Sequence, residues 1–123
     1  MRVGDKFWHC KRIDEENAEI QRYELPKEYT TRFGYITIQP AGSMYRELAA
    51  YGENVKDYRV AIAQPYKKWD GVFSKGDRAY LDGRTPTEED LADEYADNAN
   101  YEVEDAVPQN LAIRIVFKRR VAE

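Results

Sequence analysis

Near the end of the chain, Leu111, Ile113, Ile115 and Phe117 alternate with Ala112, Arg114, Val116 and Lys118 over a full strand length. A repeat of two sends each set to its own side of an extended backbone, and no helix keeps such a set on one face. This segment is therefore a strand with an apolar face to bury, and it needs a sheet to belong to. The pattern recurs upstream. Tyr58, Val60 and Ile62 alternate with Arg59, Ala61 and Ala63 until Gln64-Pro65 closes the run. Residues 32–39 set Phe33, Tyr35 and Thr37 against Ile36 and Ile38, as in a sheet covered on both sides, and Pro40-Ala41-Gly42 ends them.

The remaining segments are weaker. Residues 6–13 alternate imperfectly and meet the polar run Asp14-Glu15-Glu16-Asn17, a strand followed by a turn, and residues 20–23 form a lesser strand. Residues 25–30 read as a connection, because Pro26 has no amide donor and holds Leu25 out of the helical region. Val72-Phe73 sits in a short apolar patch. Residues 76–83 give a turn, a short strand and an Asp82-Gly83 turn of the tight-hairpin kind. Ser43 caps a short helix in which Met44, Leu48 and Tyr51 recur at helical spacing and Gly52 provides the stop.

Residues 88–105 carry nine carboxylates and no Lys or Arg, which is not the composition of ordinary core. Thr87 with Asp90 three places on reads either as the cap of a short helix through Tyr95, with Leu91 and Tyr95 on one side, or as part of a solvated loop. Tyr101 and Val103 start a strand after it. Strands spread along 123 residues, with one good helix, predict a mainly β fold. The expected architecture is a small antiparallel β-barrel in a single domain, 1–123, with one short helix, a second short helix as the alternative to a loop in the insertion, and that acidic insertion at about residues 84–100.

Composition narrows the function. Ten tyrosines, four phenylalanines and two tryptophans suit strands and binding surfaces. A net charge of −4 disfavours sequence-general nucleic-acid binding, which draws on Lys and Arg neutralising phosphates. Cys10 is the only cysteine, so no intramolecular disulfide is expected, and without a long apolar run at the start a reducing cytoplasm is the expected setting. No run approaches the length of a membrane span.

Catalytic chemistry is sparse, and the expectation is a binding protein with no enzymatic activity, cofactor or metal. The seven glycines are too scattered for a phosphate loop. His9 and Cys10 are neighbours on a strand, so they point to opposite faces, and His9 is expected to be a satisfied strand residue. The acidic run lacks the central glycine of a calcium loop between 90 and 100. Glu88, Glu89, Asp90, Asp93 and Glu94 are expected to form an acidic interface, and Lys118, Arg119 and Arg120 a basic tail. Surfaces of opposite sign on one chain favour head-to-tail contacts between copies, which close into a ring when the rotation permits.

The order Phe33-Gly34-Tyr35-Ile36-Thr37-Ile38-Gln39-Pro40, then Glu47 and Gly52, then Asp57-Tyr58-Arg59-Val60-Ala61-Ile62, then Gly76-Asp77-Arg78-Ala79-Tyr80-Leu81-Asp82-Gly83 resembles the head-closure proteins of long-tailed bacteriophages and prophages, also called stoppers or head-tail connectors. The likeness covers residues 32–83 well and 111–118 loosely. It implies a small β-barrel that forms a ring in the virion neck, a dodecamer or hexamer, assembled in the bacterial host cytoplasm. That ring closes the DNA-filled head beneath the portal and adaptor and offers an attachment surface to the tail-terminator protein. The resemblance also implies that residues 41–56 face the channel, including Ser43, Met44, Tyr45, Arg46, Glu47 and Tyr51. The nine uncompensated acids of residues 88–105 fit a DNA conduit, because an acidic lining repels packaged DNA and lets it slide, without sequence-specific contact. The sequence departs from the family pattern at residues 83–101, where the acidic insertion exceeds a short hairpin. Two rival readings follow from the same residues: a monomeric β-barrel adaptor for a peptide or protein, and a metal-dependent hydrolase built on the carboxylates.

Overall fold

A computed structural model of the chain describes residues 6–15, 19–31, 36–40 and 57–120. Strand β1 (Lys6–Cys10) alternates poorly for a physical reason: Phe7, Trp8, His9 and Cys10 are all buried. Phe7 joins one apolar cluster while Trp8 and Cys10 join another, so β1 is covered on both faces. The lesser strand expected at 20–23 shrinks to β3 (Arg22–Tyr23), which pairs only with β2 (Arg12–Ile13) in a separate ribbon. The expected connection at 25–30 is instead largely a strand, β4 (Lys27–Thr30), antiparallel to β1. Pro26 sits just before it, where an edge strand loses nothing by a missing N–H.

Strands β5 (Ile36–Pro40) and β6 (Tyr58–Ala63) pair from Ile36↔Ala63 to Pro40↔Arg59. Pro40 therefore lies in the strand it was expected to follow, which an edge position allows. Ile36 is buried whereas Thr37 is exposed. Phe33 and Tyr35, and the helix expected from Ser43 to Gly52, lie outside the described residues. After the cis Gln64-Pro65 peptide comes a one-turn helix that sequence reading missed, α1 (Tyr66–Trp69). It swings Trp69 into the core, where the indole Nε1 donates to the Gln64 carbonyl at 3.0 Å.

Asp82 (φ 59°) and Gly83 (φ 79°) follow β7 (Arg78–Tyr80) in a left-handed turn, with the Arg84 N–H on the Leu81 carbonyl at 3.2 Å. No hairpin closes there. Pro86 is buried just beyond and cannot donate to a returning strand. The chain instead detours through α2 (Glu88–Leu91) and returns as β8 (Tyr101–Gln109), which meets β7 at Arg78↔Glu102 and Ala79↔Tyr101. Strand β9 (Ala112–Arg119) completes a long hairpin with β8 and also pairs with β6. Ile113, Ile115 and Phe117 are buried as the alternation requires. Leu111, expected as the first of that set, stands 81% exposed at the tip, because Asn110 (φ 56°) opens a two-residue turn and the strand begins one residue later.

The sheet order is β4-β1-β7-β8-β9-β6-β5, antiparallel at every step, and the protein is mainly β as expected. All seven strands send side chains to one core, from Tyr29 on β4 and Phe7 on β1 to Ala61 and Ala63 on β6 and Ile36 on β5. A flat sheet cannot bring its two outermost strands to one cluster, so this sheet curls strongly. No ladder joins β4 to β5 among the described residues. Phe73 fills the centre, with its ring centroid 5.9 Å from Trp69, 6.2 Å from Phe117 and 6.4 Å from Phe7.

Candidate functional site

The outer face of β1 and β7 carries a second core of Trp8, Cys10 and Tyr80, roofed by Tyr23, Ala96 and Ala99. Part of that roof comes from the acidic segment, so the stretch is not excluded from the interior as its composition implied. Carboxylates can line a buried layer only when local donors satisfy them. Asp90 does this through a capping box: its amide donates to Thr87 Oγ1 at 3.2 Å, and its Oδ2 accepts the Thr87 N–H at 2.9 Å. Its other oxygen accepts from Asn98 Nδ2 at 2.7 Å. The Asn98 amide, followed by the Thr87 N–H, holds the Asp90 carboxyl below the usual range.

The helix predicted as one alternative is present but stops at Leu91 instead of reaching Tyr95. Asp93 ends it by taking the N–H groups of Tyr95 at 2.9 Å and Asp97 at 3.1 Å, which a longer helix would need for its ladder. Leu91 and Tyr95 are consequently 43% and 40% exposed and make no common helical face. The turn beyond them leaves several carbonyls pointing together, and two arginines collect them. Arg120 Nη1 donates to the Ala96, Asp97 and Ala99 carbonyls at 3.1, 3.2 and 2.7 Å. Arg78 Nη1 reaches the Tyr95 and Ala96 carbonyls at 2.9 and 3.3 Å, with its guanidinium 4.7 Å from the Tyr23 ring centroid. A guanidinium thus occupies the carbonyl cluster that a cation would otherwise find.

These contacts split the expected interfaces. Glu88 and Glu89 are exposed on α2, but Asp90 is buried, Asp93 is engaged by its own turn, and Glu94 is bonded to Arg22. The Glu94 carbonyl also accepts the Tyr23 N–H at 2.6 Å, tying the segment to β3. The five side chains are therefore not all presented on one exposed surface. Lys118 and Arg119 are exposed at the end of β9, whereas Arg120 is the internal clasp just described. Ser43, Met44, Tyr45, Arg46, Glu47 and Tyr51 lie outside the described residues.

His9 is the satisfied strand residue that was expected. Its Nε2 is 2.7 Å from Asp77 Oδ2, with both side chains buried. Asp77 also accepts the Arg12 N–H and the Ser74 N–H, each at 2.9 Å. Burial alone pushes its carboxyl upward, but the His9, Arg12 and Ser74 bonds outweigh this and hold it below the usual carboxylate range. Cys10 lies in the outer core and His9 against Phe73 in the inner one, so they form no nucleophile pair. Burial, with the Asp93 charge second, pushes the Cys10 thiol up to about 12. Asp77 was missed in the sequence; the signal was the lone buried histidine itself, which needs an acceptor.

Ile20, Gln21, Arg78, Tyr95 and Asp97 surround an open cleft of about 440 Å³ beside the acidic turn. Ile20 is 64% exposed at its rim. Among the described residues, no group of three His, Cys, Asp or Glu side chains is placed to hold a metal, and no helix is long and apolar enough to cross a membrane. No family model, curated protein or solved structure matches the chain.

Proposed function

We propose that this protein is a structural neck component of a long-tailed bacteriophage: a ring subunit beneath the portal and adaptor that closes the filled head and presents a surface to the tail. The order of segments over residues 32–83 supports this reading, and so does one structural observation. Strands β5 and β6 are antiparallel neighbours paired from Ile36↔Ala63 to Pro40↔Arg59, so Pro40 and Tyr58, which bracket the segment that the resemblance turns to the channel, lie at one end of this strand pair. The chain's exposed aromatic, apolar and charged groups suit contact with protein neighbours more than turnover of a small molecule.

The test is reconstitution. The chain is mixed with portal and adaptor complexes encoded beside its gene and imaged by electron microscopy. Added ring density below the adaptor is the expected result. Portal complexes that stay unchanged at saturating protein, or a gene lying away from any morphogenesis cluster, would overturn the reading. Stoichiometric capture of a short peptide by the free monomer would favour the adaptor alternative instead.

A further inference from the structure

The Asp82-Gly83 turn closes no hairpin, yet both residues hold left-handed conformations, at φ 59° and 79°. Its backbone is fixed from one side by Asn100, whose Oδ1 accepts the Leu81 N–H and whose Nδ2 donates to the Leu81 carbonyl, each at 2.9 Å. So placed, the Asp82 carboxylate meets Arg59 of β6, three strands away in the order β7-β8-β9-β6. Arg59 Nε lies 3.2 Å from Oδ1 and Nη2 3.2 Å from Oδ2, and the Tyr101 hydroxyl of β8 donates to Oδ2 at 2.6 Å. The guanidinium also stands 5.7 Å from the Tyr101 ring centroid.

Arg59 shares the inward side of β6 with Ala61 and Ala63, which belong to the core. A guanidinium is tolerated on that side because it lies at the mouth of the curl and finds a carboxylate there. At this mouth the sheet is incomplete. Every pairing from β4 round to β5 is antiparallel and the strands number seven, so β4 and β5 run in the same direction. Only residues 31–35 join them, whereas parallel neighbours need a crossover of roughly a dozen residues or more. β4 and β5 therefore cannot close the curl with a ladder of their own. A cleft of about 410 Å³ opens at this end, with Phe7, Ile38 and Leu81 of the inner core in its walls and Lys6 and Asp82 beside them.

We propose that Asp82 is a conformational clamp: by holding Arg59 and Tyr101 across the mouth it keeps the sheet curled where a β4–β5 ladder cannot, and without it the two edges part. Such an opening leaves the ladders intact, because β4 stays on β1 and β5 stays on β6. It is also local in its cause. Both partners share one carboxylate, so removing that group releases both at once. The Asp82-Gly83 pair then has a use that needs no hairpin: a left-handed turn aims the carboxylate across the mouth, and Asp tolerates that conformation better than most residues. The clamp is independent of the neck reading, and its failure leaves that reading where it stood.

The test measures distances across the seam in the full chain by pulsed electron paramagnetic resonance. Nitroxide labels at Glu28→Cys on β4 and Thr37→Cys on β5, both exposed positions, report the separation of the two edges. The exposed Lys6–Glu28 pair lost with the first label contributes little. Labels at Thr37→Cys and Lys118→Cys span β5 to β9 through β6 and serve as the control. Native Cys10, fully buried with its thiol pushed up to about 12, stays unlabelled. Asp82→Gly keeps the left-handed turn without strain and removes the carboxylate. It should turn a narrow 28–37 distance into a broad distribution reaching longer separations, while the 37–118 distance is unchanged. A 28–37 distribution that matches the parent's overturns the proposal. So does broadening of both pairs together, since that marks general unfolding and makes Asp82 a requirement of the whole fold.

Discussion

Asp77 ties three separate stretches of chain to one carboxylate: His9 on β1, Arg12 on β2 and Ser74 in the loop before β7. Lys11 Nζ lies 3.9 Å away and bonds the Gly71 and Val72 carbonyls and Ser74 Oγ, so the same loop is held twice. Because the folded carboxyl titrates below its unfolded value of about 3.9, its contribution is complete above that pH and disappears as pH falls through the folded value. Asp77→Asn should therefore cost about 3 kcal/mol at neutral pH, as expected when a buried carboxylate that holds three partners loses its charge and one acceptor. Urea unfolding of both proteins at pH 7 and near pH 3 checks this. The gap should narrow at the acid end, and an equal gap at both would contradict the assignment. That His9 would be satisfied was legible in the sequence; its partner was not, because the two lie 68 positions apart and only the β1–β7 pairing joins them.

Strand β8 illustrates how an element manages an incomplete neighbour. β7 pairs only with Tyr101 and Glu102, so residues 105–109 have β9 alone beside them among the described ladders. Counting from the Gln109↔Ala112 pair that closes the hairpin, the backbone groups of Ala106 and Pro108 face outward. The Ala106 N–H is taken by the Asp105 carboxylate at 3.0 Å, and Pro108 has no N–H to offer. This edge presents no free donor at those two positions, a common defence against strand addition. Asp105→Ala combined with Pro108→Thr should restore both donors. The variant should form β-rich aggregates on concentration while its folded monomer keeps native circular dichroism; light scattering indistinguishable from the parent would contradict the argument. The strand itself was legible from Tyr101 and Val103. Its bulge between Val103 and Asp105, which sets which donors face out, was not.

At the scale of the molecule, the acidic segment is a structural layer and only secondarily a surface. It covers Trp8, Tyr23 and Tyr80, whose rings would otherwise meet water. Replacing residues 88–98 by a short Gly-Ser linker should expose that outer core and give dye-binding, poorly soluble protein. Glu88→Gln with Glu89→Gln should cost less than about 1 kcal/mol, the loss of two exposed carboxylates from the first turn of α2. Thermal melts and a hydrophobic dye distinguish these outcomes. A soluble, cooperatively melting deletion variant would show that the segment is dispensable to the fold.

The sequence by itself determined the mainly β class, a strand at 58–63, a strand over 111–118 that the structure starts one residue later, and the isolation of Cys10 from His9, and it offered the Thr87–Asp90 cap as one of two alternatives. Each of these follows from side-chain period or from contacts a few residues apart, which are written locally. Only the tertiary structure decided that residues 27–30 complete the sheet, that Trp69 and Phe73 fill its centre, that Arg120 and Asp90 turn inward, and that Leu111 and Ile20 turn outward. Those outcomes depend on which distant strands become neighbours, and the burial of a charged or apolar side chain is set by what packs over it.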